Sequence, residues 1–223
     1  MSITAILFDA GGVLYHRPRT DRHLAAFLSR HSLKLRHRST VERAMRAGLF
    51  DVQSGRISRA AFYDAILRVH GVQDESLFPA GREALLQDAA DIELFPGVLE
   101  TLQALYAAGF RMGVISDSAH PAHDKIEWLA ARGIPADIWR AFVVSSEAGM
   151  LKTGGLIFER ALHLLGTTAR ETAFVGHNSA ELARAAEMGL ITVAFMPDDP
   201  AIQTHYRIGS FYSLRDLWLP NSS

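Results

Sequence analysis

The stretch Ile3-Thr4-Ala5-Ile6-Leu7-Phe8-Asp9-Ala10-Gly11-Gly12-Val13-Leu14 sets a mostly apolar run directly ahead of a carboxylate and a glycine pair. An apolar run without polar alternation predicts a strand buried on both faces, as in parallel sheets covered by helices. Parallel strands are joined by crossovers, so a strand of this kind at residue 3 commits much of the chain to alternating strand and helix. Open sheets of that type bind ligands beyond the carboxyl ends of their strands, which is where Asp9 falls. Gly11 and Gly12 allow a sharp turn and a close backbone approach to a ligand. A strand-end aspartate is also a common turn former or helix cap, so a functional reading of Asp9 depends on what lies downstream.

The expected alternation begins at Pro96. Helical patterns over 97–108, 121–132, 154–165 and 179–188 separate strand patterns over 110–115, 141–145, 172–175 and 191–195. Between Leu14 and Pro96 the pattern is helical: 21–32, a run to about 50 capped by Ser39 or Thr40, 59–69 behind Ser58, and about 75–89. No convincing strand appears there. The chain is therefore expected to be α/β, with a Rossmann-like three-layer parallel-sheet core formed by residues 1–15 and 93–223 and a helical cap, 16–92, inserted after the first strand. A lid in that place hangs over the strand ends and so over Asp9.

Composition narrows the chemistry. The 223 residues are 48% hydrophobic, enough for a core with an insertion, and contain no cysteine. Disulfides, thiolate metal sites and cysteine nucleophiles are excluded, so any metal takes oxygen or imidazole ligands. No apolar run reaches membrane-spanning length and the first strand follows Met1 closely, which leads to the expectation of a cytoplasmic protein without a membrane partner. The net charge of −1 conceals an asymmetry. Residues 16–48 carry nine Lys and Arg (Arg17, Arg19, Arg22, Arg30, Lys34, Arg36, Arg38, Arg43 and Arg46) against Asp21 and Glu42. Leu24, Phe27, Leu28, Leu33 and Leu35 interleave them at roughly helical spacing, which reads as the solvated face of amphipathic helices rather than a nucleic-acid surface. The same charge can steer small anions.

Three more strand ends carry polar groups. Strand 110–115 runs into Ser116-Asp117-Ser118, where a hydroxyl and helix-opening amides suit a phosphate oxygen, or a serine caps the next helix. The loop Ser145-Ser146-Glu147-Ala148-Gly149-Met150-Leu151 ends in Lys152, either a surface lysine or the counter-charge of a carboxylate and a phosphoryl group. Strand 172–175 leads into Gly176-His177-Asn178-Ser179-Ala180-Glu181, whose polar groups at 177 and 181 fall near the crevice, with Asn178 or Ser179 available as a cap. His120 and His123 read chiefly as exposed first-turn residues, and His16 lies just past the glycine turn, near the crevice.

Taken in order, Asp9, Ser116, Lys152 and the segment from Gly176 to Glu181 resemble the four motifs of the haloacid dehalogenase superfamily of aspartate-nucleophile hydrolases, across the whole chain. The insertion 16–92 resembles that superfamily's small helical cap, and the contexts of Ser116 and Lys152 are similar to its phosphatase-like members. The resemblance implies attack by Asp9 on phosphorus, an aspartyl-phosphate and its hydrolysis. It implies Lys152 as the catalytic counter-charge, Ser116, Asp117 and Gly11 as the substrate-binding residues, and a small-molecule phosphate ester as partner to a monomer or homodimer. It also implies a divalent metal, magnesium or alternatively manganese, held by Asp9, the Gly11 carbonyl, His177 and Glu181.

This chain departs from the pattern at three places. Gly11 stands where most members have a second aspartate as general acid and base, a role worth about 10²–10⁴-fold in rate. His177 and Glu181 stand where the phosphatases usually have two aspartates, and imidazole suits softer ions than magnesium. Thr153 replaces the proline that commonly follows the lysine. Two further readings therefore stay open: a metal-independent dehalogenase, whose fourth motif of Asn followed three residues later by an acid is similar to Asn178 and Glu181, with Arg17, Arg19 and Arg22 as nearby cations, and a family member that binds without catalysing.

Overall fold

The computed structural model describes residues 2–219. In chain order its elements are β1 (Ala5–Phe8), β2 (Tyr15–His16), α1 (Arg22–Arg30), α2 (Arg38–Gln53), α3 (Arg59–Val69), α4 (Phe78–Ala90), β3 (Glu93–Leu94), α5 (Val98–Ala107), β4 (Arg111–Ser116) and α6 (Ala122–Ala130). There follow β5 (Trp139–Val144), α7 (Ser145–Ala148), α8 (Leu156–Leu165), β6 (Thr172–Gly176), α9 (Ser179–Glu187), β7 (Ile191–Phe195), β8 (Tyr206–Ile208) and α10 (Phe211–Trp218). Six strands make one parallel sheet in the order β5-β4-β1-β6-β7-β8. β1 is central, with Phe8 paired to Val114 on one side and Val175 on the other.

Successive residues of the buried strands feed opposite faces, as the period of two requires. Ile6, Phe8, Val114 and Val175 join a core with Leu102 of α5, Leu129 of α6 and Phe211 of α10. Leu7, Ile115 and Phe174 join the other, with Phe158 of α8 and Leu182 of α9. This is the α/β three-layer core that the sequence pattern predicts. Full burial of Ile6, Leu7 and Phe8, each worth about 1.5–3 kcal/mol, fixes the point at which Asp9 emerges.

Helices α1–α4 lie between β1 and α5. Leu24, Phe27 and Leu28 of α1 pack on Leu67 of α3 and Phe78 of α4 in a core of their own, leaving arginines such as Arg22 and Arg30 toward solvent. A second cluster, Val52, Phe62 and Tyr63, meets Ala119 at the sheet's carboxyl edge. Where the chain leaves for these helices and returns, β2 pairs antiparallel with β3; two residues per strand carry no periodicity and were not expected as strands. β8 and α10 also went unread. β8 offers only Ile208 as a buried residue, whereas α10 is opened by Ser210, whose hydroxyl accepts from the Ser213 N–H at 3.2 Å.

The run expected as one helix from residue 75 begins as a 3₁₀ turn, Glu75–Leu77, before α4 starts with Pro79 in its first turn. Among the described residues no helix is long and apolar enough to cross a membrane.

Candidate active site

Asp9 extends the ladder one residue past β1, its N–H donating to the Val175 carbonyl at 2.9 Å. Its carboxylate Oδ1 accepts from the Ala10 N–H at 2.8 Å and is almost wholly buried. The chain then turns through Gly12 at φ 78°, where a Cβ would lie 2.9 Å from the His177 imidazole. Glycine is needed there twice over, for the left-handed backbone and for the ring beside it.

Lys152 arrives from the β5–α8 connection, and its backbone N–H donates to the Asp117 carboxylate at 3.1 Å. Its ammonium, only 2% exposed, lies 2.8 Å from Asp9 Oδ1 and 2.7 Å from Glu181 Oε2. Glu181 is held in the first turn of α9, where Asn178 accepts from the Glu181 N–H at 3.1 Å as the N-cap. His177 Nδ1 comes within 3.2 Å of Asp9 Oδ2, near but off the line of a good hydrogen bond. Of the two readings of Lys152, the surface lysine is the one that fails: the side chain is buried and bridges two carboxylates.

The titration behaviour follows from this packing. Burial pushes Asp9 up, but Lys152 and His177 outweigh it and hold the carboxyl down to about 2. Lys152 is raised by Asp9, Glu181 and Asp117 against burial. Contact with Asp9 raises His177. Glu181 moves the other way, burial lifting it to about 7 although Lys152 opposes, and burial also raises Asp117.

Ser116 ends β4 and is buried at the same edge. It caps nothing: Ser118 accepts from the His120 N–H at 3.0 Å, and Glu147 accepts from the Ala122 N–H at 2.9 Å at the start of α6. Asp9, Gly11, Ser116, Asp117, Lys152, His177 and Glu181 all line one cavity of about 450 Å³. Every residue named from the sequence as catalytic, substrate-binding or metal-ligating therefore faces a single space.

The donors named for a metal form a salt-bridge network rather than a cation cage. Lys152 stands between Asp9 and Glu181, His177 faces the second oxygen of Asp9, and among the described residues no three His, Asp or Glu side chains are grouped to hold an ion. With an imidazole in the set and the Lys152 ammonium already between its two carboxylates, the set does not fit a hard divalent ion such as magnesium.

The cavity has walls that no motif marked. Gln53 of α2 and Tyr63 of α3 line it, and Gln53 donates to the Asp117 carbonyl at 3.4 Å. Tyr15, Arg17 and Lys125 line it as well. His120, expected to be exposed, is largely buried against Tyr63, 3.0 Å from its hydroxyl, while His123 is exposed. His16 stacks on Phe95 instead of facing the cavity. The one available signal for Lys125 was its place on an apolar helix face, four residues before the buried Leu129.

The chain resembles known proteins in sequence and in fold. A glyceraldehyde 3-phosphate phosphatase of Methanopyrus kandleri is 26% identical over 204 residues, 86% of this chain and 83% of the relative. A protein of the same name from Methanocaldococcus jannaschii is 28% identical over 172 residues, 70% of each chain. The solved structure of a 2-haloacid dehalogenase from Pseudomonas syringae pv. tomato superposes with a TM-score of 0.73 over 96% of this chain and 97% of that one, at 19% identity, a likeness of fold. The family model of the haloacid dehalogenase-like hydrolases matches residues 3–189, and with strands, motifs and fold in agreement this chain belongs to that family and is a hydrolase.

Proposed function

We propose that the protein is a phosphatase that hydrolyses a small phosphorylated metabolite through an aspartyl-phosphate on Asp9. The observation that carries this reading is the buried Lys152 bridge, which keeps Asp9 ionised and places a positive charge where a phosphoryl group would meet the nucleophile. The two curated relatives named as phosphatases support it. In the first step an Asp9 oxygen bonds to phosphorus as the ester P–O bond breaks, and the departing alkoxide takes a proton from His177, the imidazolium favoured beside Asp9. In the second, water attacks the same phosphorus, Glu181 takes the water proton, and the Asp9–phosphorus bond breaks to free phosphate. Ser116 and the amides after it hold phosphoryl oxygens. Residues 16–92 act as the cap, with Gln53 and Tyr63 closing the cavity.

Phosphatases of this family generally use a divalent metal. In this chain the donor set assigns charge neutralisation to Lys152 and His177, and no step runs through a metal. Phosphate release from a panel of small phosphate esters, with magnesium, manganese or chelator, tests the reading. Wild-type turnover is expected to persist in chelator, D9N to lose at least about 10³-fold, and H177D to become magnesium-responsive. Undiminished turnover in D9N would remove the nucleophile. The same network without a cation cage favours one other reading, attack by Asp9 on carbon, which chloride release from 2-chloropropionate would reveal.

A further inference from the structure

Away from Asp9, two cations without a carboxylate partner share the cavity wall. Lys125, in the first turn of α6, is 4% exposed, and its ammonium donates to the Tyr15 hydroxyl at 2.8 Å. Arg17 donates through Nε to the Ala89 carbonyl at 2.8 Å. Both lie on the same pair of rings, each 5.5 Å from the Tyr15 centroid and 5.8 Å from that of Trp128. Among the described residues no carboxylate comes within 4.0 Å of either charge. The adjacent acid, Asp124, is taken by Arg59 and by His123 at 2.9 Å.

Two like charges gathered in a part-buried pocket repel one another, and aromatic faces return only part of the solvation each charge has lost. An anion held between them would remove that repulsion and gain charge-assisted hydrogen bonds. Neighbouring groups register the same potential: His120 is pushed down to about 3 by burial and then by Lys125, Arg59 and Arg17.

Resting on the phosphatase reading for the identity of the first group, we infer that Lys125 and Arg17 form a second anion subsite, so that the substrate is a small phosphate ester bearing another anionic group on its leaving-group side. A carboxylate and a second phosphoryl group share this chemistry. A cavity of about 450 Å³ suits a molecule of that size.

Calorimetric binding to the whole protein, using phosphonates that cannot be hydrolysed, tests the subsite apart from catalysis. Phosphonoacetate is expected to bind at least about tenfold more tightly than ethylphosphonate, and K125M and R17M are each expected to erase most of that preference. Methylenediphosphonate binding more tightly than phosphonoacetate would identify a second phosphoryl group as the ligand; the reverse order would identify a carboxylate. Turnover of 3-phosphoglycerate against glycerol 3-phosphate is the companion measurement, with kcat/KM for the acid expected to fall at least about tenfold further than that for glycerol 3-phosphate in either variant. Equal binding of phosphonoacetate and ethylphosphonate by the wild type, or a preference unchanged in both variants, would overturn the subsite even if esters are hydrolysed. A preference that depends on Lys125 in a protein that hydrolyses no ester would keep the subsite and remove the phosphatase reading. Because R17M changes a partly exposed residue, it remains informative if K125M does not fold.

Discussion

A carboxylate as deeply buried as Asp9 stays ionised only because two cations hold it there, so its charge state is also a term in folding. Its pKa is about 2 in the folded chain against 3.8 when free, a gap worth about 2 kcal/mol. A depressed carboxyl stabilises the fold above its unfolded value and loses that contribution as pH falls through the folded one. D9N is therefore expected to be less stable than wild type by about 2 kcal/mol at pH 6, with the difference closing between pH 4 and pH 2. Urea unfolding of both proteins over that range checks it, and a difference that does not change with pH would contradict the pairing. At this scale the sequence was informative where a reactive side chain follows a strand: Asp9, Ser116, Lys152, His177 and Glu181 were all legible. Lys125 and Tyr15 were not, since what matters about them is a 2.8 Å contact between residues 110 positions apart.

Among the elements, the turn after β1 and the start of α9 set the site together. Alanine at position 12 would have to adopt φ 78° and would push against the His177 ring. We expect G12A to cost about 1–2 kcal/mol and to return the raised His177 pKa toward its ordinary 6.5. NMR titration of the His177 ring reads the second effect directly. N178A, which removes the α9 cap for about 1 kcal/mol, is the comparator that loosens Glu181 without crowding the imidazole. A His177 titration unaltered in G12A would show that the glycine serves the backbone alone. The helices and strands near the motifs were legible because their apolar periodicity is long. β2 and β3 were not, because two residues cannot show a period and their pairing joins residues 15–16 to 93–94.

In the whole molecule, the helical segment is tied to itself and to the core by contacts distant in sequence. Asp21, at the N-cap position of α1, has φ 62° and its side chain makes no cap bond; Asp88 of α4 instead accepts from the His23 and Leu24 N–H groups at 2.8 and 2.9 Å. D88A should cost about 1–2 kcal/mol and speed proteolysis between Arg17 and Arg22, which limited digestion would measure; an unchanged cleavage rate would deny Asp88 that role. Arg59 of α3 reaches Asp124 of α6 in the same way, from one unit of packing to the other. The sequence by itself determined the parallel α/β core, the run of helices between its first strand and Pro96, and the polar groups at the strand ends, because each is written in local hydrophobic period and turn chemistry. Only the tertiary structure decided that Lys152 bridges Asp9 and Glu181, that Asp88 caps a helix 65 residues away, and that Lys125 and Arg17 meet on two aromatic rings. Caps and ion pairs depend on distances of a few ångströms between groups that chain connectivity leaves free, and burial then sets which of those charges persist.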